Sequence, residues 1–294
     1  MPKEILCAYG VDLDAVAAWL GMGGAPSHVD VSRGMFAGEV GAPRLLDLFA
    51  RFGIRTTWFI PGHSLETFPD QARRVVAEGH EVGLHGYAHE SLPTLRPEQE
   101  RAVLRRCIAL VERLTGGPPQ GFVAPSWEIT AATIPLLLEH GLRYDHSLMH
   151  HDFQPYFVRE GDAWTAVDPA QPAESWMRPL VRGRPTDLVE IPANWYLDDA
   201  PPMIFVPSAP SSQGYVSPRV IEQLWKDQFD WVYQHSDYAV FPMTIHPDVS
   251  GRPQVLAMHE RLIPYLLGHP GVRFLTFAEL ADDFRRRAGG PRDP

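Results

Sequence analysis

Asp12 and Asp14 stand two residues apart in this chain, and His85 and His89 stand four apart. Two imidazoles at that spacing fall on one side of a helical turn. With one carboxylate they make a facial site that leaves positions open for water and substrate. A His-x3-His pair alone is weak evidence, because most such pairs bind nothing. The competing reading makes Asp14 the N-cap of a helix that begins at Ala15 and leaves Asp12 in a solvated loop. It explains one aspartate comfortably, but not both together with the histidines. A rival cluster, His146, His150 and His151 beside Asp145 and Asp152, repeats the four-residue spacing. It opens an irregular stretch where a polar loop is the simpler expectation, so it ranks second as a metal site. His63, after the second strand, is expected to face the same mouth and to satisfy loop carbonyls, while His28, His80, His140, His235, His259 and His269 are expected at helix ends or in loops, solvated or capping.

The elements that must position these groups alternate along the chain. Residues 4–11 read as a strand that stops at Asp12-Leu13-Asp14, and 54–60 as a second that breaks at Pro61-Gly62. Further strands are expected at 82–85, 121–124, 143–145, 188–192, 239–245 and 272–276. Helical patterns fall at 43–52, 70–78, 97–114, 130–140, 218–234, 253–267 and 277–287. Residues 146–185 keep no stable period and read as loops with a hairpin. No repeat or linker divides the chain, so one domain over 1–294 is expected, with 289–294 a frayed tail. Such alternation predicts an α/β fold, a parallel (β/α) barrel of about seven strands, whose chemistry collects just after the strand C-termini. Read in that order, the strand ends deliver Asp12 and Asp14, then His85 and His89. Trp127 and Glu128 follow the fourth strand, Asn194 and Trp195 the sixth, and His246 and Asp248 the seventh.

Composition narrows the function classes. Among 294 residues, 45% are apolar and 21% charged, which suits a globular chain with a sizeable core. A net charge of −10 argues against a phosphate-binding face, so no nucleic-acid partner is expected. No apolar run approaches the ~18 residues of a membrane span, and no membrane partner is expected. The N-terminus shows no basic leader, long apolar stretch or cleavage site, which predicts a cytoplasmic protein. Two cysteines, Cys7 and Cys107, make no disulfide framework and are expected as buried thiols.

Asp12 and Asp14, His85-x3-His89, Ala-Pro-x-Trp at 124–127, Asn194-Trp195 and His246 resemble the five ordered motifs of the polysaccharide deacetylases. These are the NodB-like enzymes of carbohydrate esterase family 4, and the resemblance runs from about residue 4 to 285. Within that family the chain is most similar to a cytoplasmic subgroup that includes a peptidoglycan-deacetylase-like protein and the ureide-cleaving allantoinases. The resemblance implies a distorted (β/α) barrel, with Asp12 as general base and His246 as general acid. It also implies Asp14, His85 and His89 as ligands of Zn2+ or another divalent metal such as Co2+. Two positions depart from the pattern. Val123 stands where the family usually has an arginine that holds the catalytic aspartate. Asn194 stands where it usually has an aspartate that supports the acid histidine. Asp198 or Asp248 is expected to supply the missing support.

The chemistry so implied is metal-dependent hydrolysis of a non-peptide C–N bond. N-deacetylation of an N-acetyl amino sugar or a peptidoglycan-derived saccharide is favoured. An allantoinase-like hydrolase of a small cyclic amide or ureide, or a catalytically weak metal-binding homologue, are the alternatives. Trp127 and Trp195 are expected in the core or as an apolar wall for a sugar ring. Two long segments, 15–35 and 146–185, are expected to roof a small site, and the aromatics of the second to support a homo-oligomer.

Overall fold

β1 (Glu4–Asp12) stands second from one edge of a curled sheet, and its alternation sets the inside and outside of the molecule. The computed structural model describes residues 3–21, 25–206 and 214–290. In it, β2 (Thr57–Ile60), β3 (Glu81–Leu84), β4 (Gly121–Phe122), β5 (Tyr144–Asp145) and β7 (Arg184–Glu190) follow on one side of β1. On its other side lies β8 (Tyr238–Ile245), while β9 (Val272–Phe274) pairs with the beginning of β1. These pairings are parallel; only β6 (Tyr156–Glu160) is antiparallel, against β7.

The expected distorted α/β barrel is present, with one revision. The hairpin expected in the irregular stretch is there, β6 against β7, but it joins the main sheet, which among the described residues therefore has nine strands and ends in an antiparallel edge. The chain after β7 then curls round to the other edge, where Asp198 bridges Thr244 and Asp199 N–H donates to the Thr244 carbonyl at 3.1 Å. Segment 15–35 is likewise no loop: it carries the helices Val16–Gly21 and His28–Phe36, the second opened by a Ser27–Asp30 capping box. The tail expected at 289–294 lies outside the described residues from 291 on. Among the described residues, no helix is long and apolar enough to cross a membrane.

Successive β1 side chains point to opposite faces. Ile5, Cys7 and Tyr9 join the large core under the helices, whereas Leu6 and Ala8 face inward with Phe59, Val123, Tyr144, Val189, Ile191 and Val240. Gly10 keeps that inward phase, because a Cβ there would meet Phe277 and Phe59 at 3.3 Å. Continuing the phase brings Asp12 to the mouth. The same period along β8 carries Val240 to Thr244 and then His246, and along β3 it carries Gly83 to His85.

Phe277 plugs the inside from below. It opens the last helix, Phe277–Ala288, which Thr276 and Glu279 cap reciprocally. Its ring stands 5.4 Å from Phe59 and 4.7 Å from His146, and its N–H donates to Thr57 Oγ1 at 2.8 Å. Phe277→Ala is expected to destabilise the fold by about 3–5 kcal/mol, the range for a buried phenylalanine. Urea denaturation measures this, and a loss below ~1 kcal/mol would mean that the inner layer closes over the gap.

Candidate active site

Among the described residues, four non-glycine residues take left-handed backbone conformations, and all four stand at the strand ends around Asp12. They are Ala15 after Asp14, His89, Ser126 and Trp127. Such conformations cost energy and persist only where the surroundings impose them. The Asp14 carbonyl is tied by Ser64 Oγ at 2.7 Å. The turn 86–88 is pinned by Glu90, whose carboxylate accepts from Tyr87 N–H at 2.9 Å and Ala88 N–H at 2.6 Å. Gly86 sits in it at φ +65°, where a Cβ would press within 2.8 Å of Glu90 Oε1. This turn, rather than the helical turn expected from the spacing, brings His85 and His89 together, with ring centroids 5.0 Å apart.

The charged atoms then converge. His85 Nε2 lies 3.2 Å from Asp14 Oδ1 and 3.8 Å from Asp12 Oδ2, and His89 Nε2 lies 3.6 Å from Asp14 Oδ2. His246 Nε2 is 3.8 Å from both carboxylates. The Val123 carbonyl can only accept, so His85 Nδ1, at 2.9 Å from it, carries a proton. That leaves Nε2 as the atom turned toward Asp14, where it can carry a proton or give its lone pair to a metal. His85 Nε2, Asp14 Oδ1 and Asp12 Oδ1 are all buried without a hydrogen-bond partner. Ligand atoms of Asp14, His85 and His89 lie within 4.8 Å of one another. An oxygen and two imidazole nitrogens, two of these atoms otherwise orphaned, fit a divalent metal.

Electrostatics say the same. Burial pushes the Asp12 carboxyl up to about 6, against the pull of His85 and His246. Burial would also raise Asp14, but His89 and His85 outweigh it and hold that carboxyl below the ordinary range. Burial would lower His85, yet Asp12 and Asp14 raise it to about 9. The two carboxylates thus draw positive charge to the spot where a metal ion would supply it. His246 differs. Burial opposes its charging, but hydrogen bonding to Asp199 and the field of Asp198 raise it well above the imidazole norm. Its Nδ1 lies 2.8 Å from Asp199 Oδ1, and its backbone N–H donates to the same carboxylate at 3.0–3.1 Å.

Asp12, Asp14, His85, His89 and His246 line one cavity of about 170 Å3 with Trp127, Trp195 and Asp198. The two indoles stand 4.4 Å apart and form one side of it. Ala18 of the helix after β1, and Pro201 and Ile204, also line it. Three expected support residues lie elsewhere. Glu128 is exposed and accepts from Ser91 Oγ, Asn194 caps the turn at Tyr196, and Asp248 pairs with Arg252 and Arg33. Asp198 does approach His246 Nδ1, at 3.6 Å, but the close partner is Asp199, which the motif reading missed. Its signal was the acidic doublet 198–199, one step past the residue chosen. No cation replaces the family's arginine: the ion-pair partners of Asp12 among the described residues are His85 and His246.

The rival histidine cluster disperses. His146 is buried, spans the Ile191 carbonyl and Thr244 Oγ1, and is pushed down to about 4 by burial. His151 Nδ1 accepts backbone N–H groups of Asp152, Phe153 and Gln154.

The chain matches the family model for polysaccharide deacetylase over residues 34–144. It is 59% identical to a peptidoglycan deacetylase of Helicobacter pylori over 288 residues, 98% of each chain. It is 43% identical to a peptidoglycan deacetylase-like protein of Gibberella zeae, covering 96% of this chain and 87% of that one. A solved structure from Mycobacterium smegmatis, assigned to the polysaccharide deacetylases, superposes with a TM-score of 0.81. It is 29% identical and covers 100% of this chain and 94% of that one. An allantoinase structure has the same fold, with a TM-score of 0.77, 22% identity and coverage of 97% and 91%.

Metal analysis tests the ligand set. The wild type is expected to bind one divalent ion per chain, and His85→Ala and His89→Ala to bind it at least tenfold more weakly. Full occupancy in both variants would move the metal away from these residues.

Proposed function

The chain belongs to the polysaccharide deacetylase family and is a hydrolase of non-peptide C–N bonds; from that premise we propose that it removes the acetyl group from an N-acetyl amino sugar of a peptidoglycan-derived saccharide. The observation that supports this most directly is the placement of the His246–Asp199 pair across one small cavity from Asp12, Asp14, His85 and His89. Asp14, His85 and His89 would hold zinc, which when bound polarises the amide carbonyl and lowers the pKa of a water from ~15.7 toward ~7.

The chain's own residues divide the proton traffic. Asp12 Oδ1 has no partner and accepts the proton of the attacking water. An amine leaves poorly unless protonated, and His246, charged and with Nε2 toward the cavity, delivers that proton. Its Nδ1–H stays on Asp199, which keeps the ring oriented. Trp127 and Trp195 give an apolar wall for the acetyl methyl or the sugar face.

Cavity size favours a second reading. About 170 Å3 is below the ~300–1,000 Å3 of pockets that enclose a drug-sized ligand, and so has room for a small cyclic ureide as well as for one sugar unit. A cytoplasmic enzyme would meet such fragments rather than intact wall, and the free, buried Cys7 and Cys107 support that location. The reading of a catalytically weak homologue loses one of its motives, because Asp199 takes the role left open by Asn194.

We also propose that a second copy covers the excursion between β6 and β7. Phe153, before β6, is buried and Phe157, within it, packs on Phe284, but in the excursion itself Trp164, Met177, Leu180 and Val181 are each more than half exposed. Light scattering that gives a clean 33.0 kDa monomer at micromolar concentration would dispose of that idea.

Turnover of N-acetylglucosamine, chitooligosaccharides, muropeptides and allantoin, with zinc or cobalt added, separates the two enzymatic readings. Release of acetate from the saccharides is expected, and ureide cleavage without acetate release would reverse the choice. Asp12→Asn should keep metal and fold while kcat falls about 10²–10⁴-fold. Asp12 works only when deprotonated, so the rate should fall as pH drops through its pKa, at or below about 6 because a bound dication lowers it further. His246 works only when protonated, so the alkaline limb should lie well above the ordinary imidazole value. A rate that still climbs below pH 5 would rule out Asp12 as the base.

A further inference from the structure

Behind His246 the hydrogen bonding does not stop at Asp199. Ser250 Oγ lies 2.5 Å from Asp199 Oδ2 and 2.9 Å from His259 Nε2, and His259 Nδ1 lies 3.0 Å from the Tyr9 hydroxyl. Asp199, Ser250, His259 and Tyr9 are all wholly buried. His259 was expected at a helix end; instead it sits within the helix Pro253–Leu267, where its ring meets Tyr9 of β1 edge-on at 5.4 Å and Trp225 at 6.0 Å.

The direction of every proton in this row follows from elementary bonding. Asp199 accepts from the backbone N–H of His246, which can only donate, and acts as a carboxylate toward its other neighbours. Ser250 therefore donates to Oδ2. A hydroxyl has one proton, so Ser250 must accept from His259 Nε2–H. Burial keeps the His259 ring neutral, which leaves Nδ1 bare to accept the Tyr9 O–H. Every donor in the row points at Asp199. No alternative tautomer of His259 satisfies both of its neighbours.

We propose that Ser250 and His259 are positioning residues for the reaction: they lock the Asp199 carboxylate in one orientation, so that His246 keeps its Nδ1 proton inside and turns Nε2 to the leaving nitrogen. This rests on the reading of His246 as the acid. Neither residue lines the cavity, so they act on kcat through His246 rather than on substrate binding. Tyr9 ends the row and fixes the His259 tautomer.

The test uses the zinc-loaded full chain with 15N-labelled histidine, and acetate release from chitotriose. In the wild type, His246 Nδ1–H should give a protected, downfield proton signal. Ser250→Ala and His259→Leu should lose or broaden it. Their kcat should fall roughly ten- to hundredfold, the range for a hydrogen bond to a charged group, with KM and bound zinc unchanged. His259→Gln, whose amide offers a donor and an acceptor spaced much like the ring nitrogens, should restore the signal and most of kcat. If His259→Leu does not fold, Ser250→Ala, which removes only one oxygen, carries the test. Wild-type kcat in Ser250→Ala, or an untouched His246 signal there, overturns the inference. Undiminished turnover in His246→Gln would instead overturn the reading of the acid on which it rests.

Discussion

Two carboxylates buried at the end of β1, with imidazoles as their ion-pair partners, impose the constraint that organises this molecule. An unpaired buried charge costs several kcal/mol, so positive charge must be supplied at that point. Protons on His85 and His246 supply part of it, and a divalent ion would take the place of the one on His85. The orphaned His85 Nε2, Asp14 Oδ1 and Asp12 Oδ1 are the visible trace of that demand. The acid and the base keep separate roles because their surroundings differ. Asp12 is raised by burial, whereas His246 is charged by a carboxylate that stands behind it.

Holding such a cluster requires backbone that would not otherwise be chosen. The left-handed residues Ala15, His89, Ser126 and Trp127 each cost on the order of 1–3 kcal/mol. Local hydrogen bonds offset this: Glu90 on the 86–88 turn, Ser64 on the Asp14 carbonyl, and Ser147 Oγ, which accepts from Ala124 N–H at 2.9 Å. The large inner layer below, with Phe277 at its centre, gives these loops a rigid floor. A site strained in this way is preorganised, since its groups need not move to meet the transition state.

The departures from the family pattern also have a physical account. Asn194 caps a short turn, Trp195–Leu197, and the chain then docks on β8 through Asp199 N–H and the Thr244 carbonyl. That docking puts the carboxylate of residue 199 under His246, five residues later than the motif suggests. At Val123 the backbone carbonyl does the work, holding His85, while the side chain belongs to the inner layer.

The strand and helix alternation, and the five groups Asp12, Asp14, His85, His89 and His246, were legible in the sequence by itself. Strand period and breaker residues are local, and the ends of parallel strands share one face of a barrel. Only the tertiary structure decided which acid stands behind His246, and that Glu128, Asn194 and Asp248 turn away from the cavity. It also decided that His259 is buried inside a polar row rather than solvated, and that the hairpin of the irregular stretch lies antiparallel at the edge of the sheet. These outcomes depend on which helix covers which strand and on turns a few residues long. There, a single φ angle or a neighbour some two hundred residues away chooses between solvent and core.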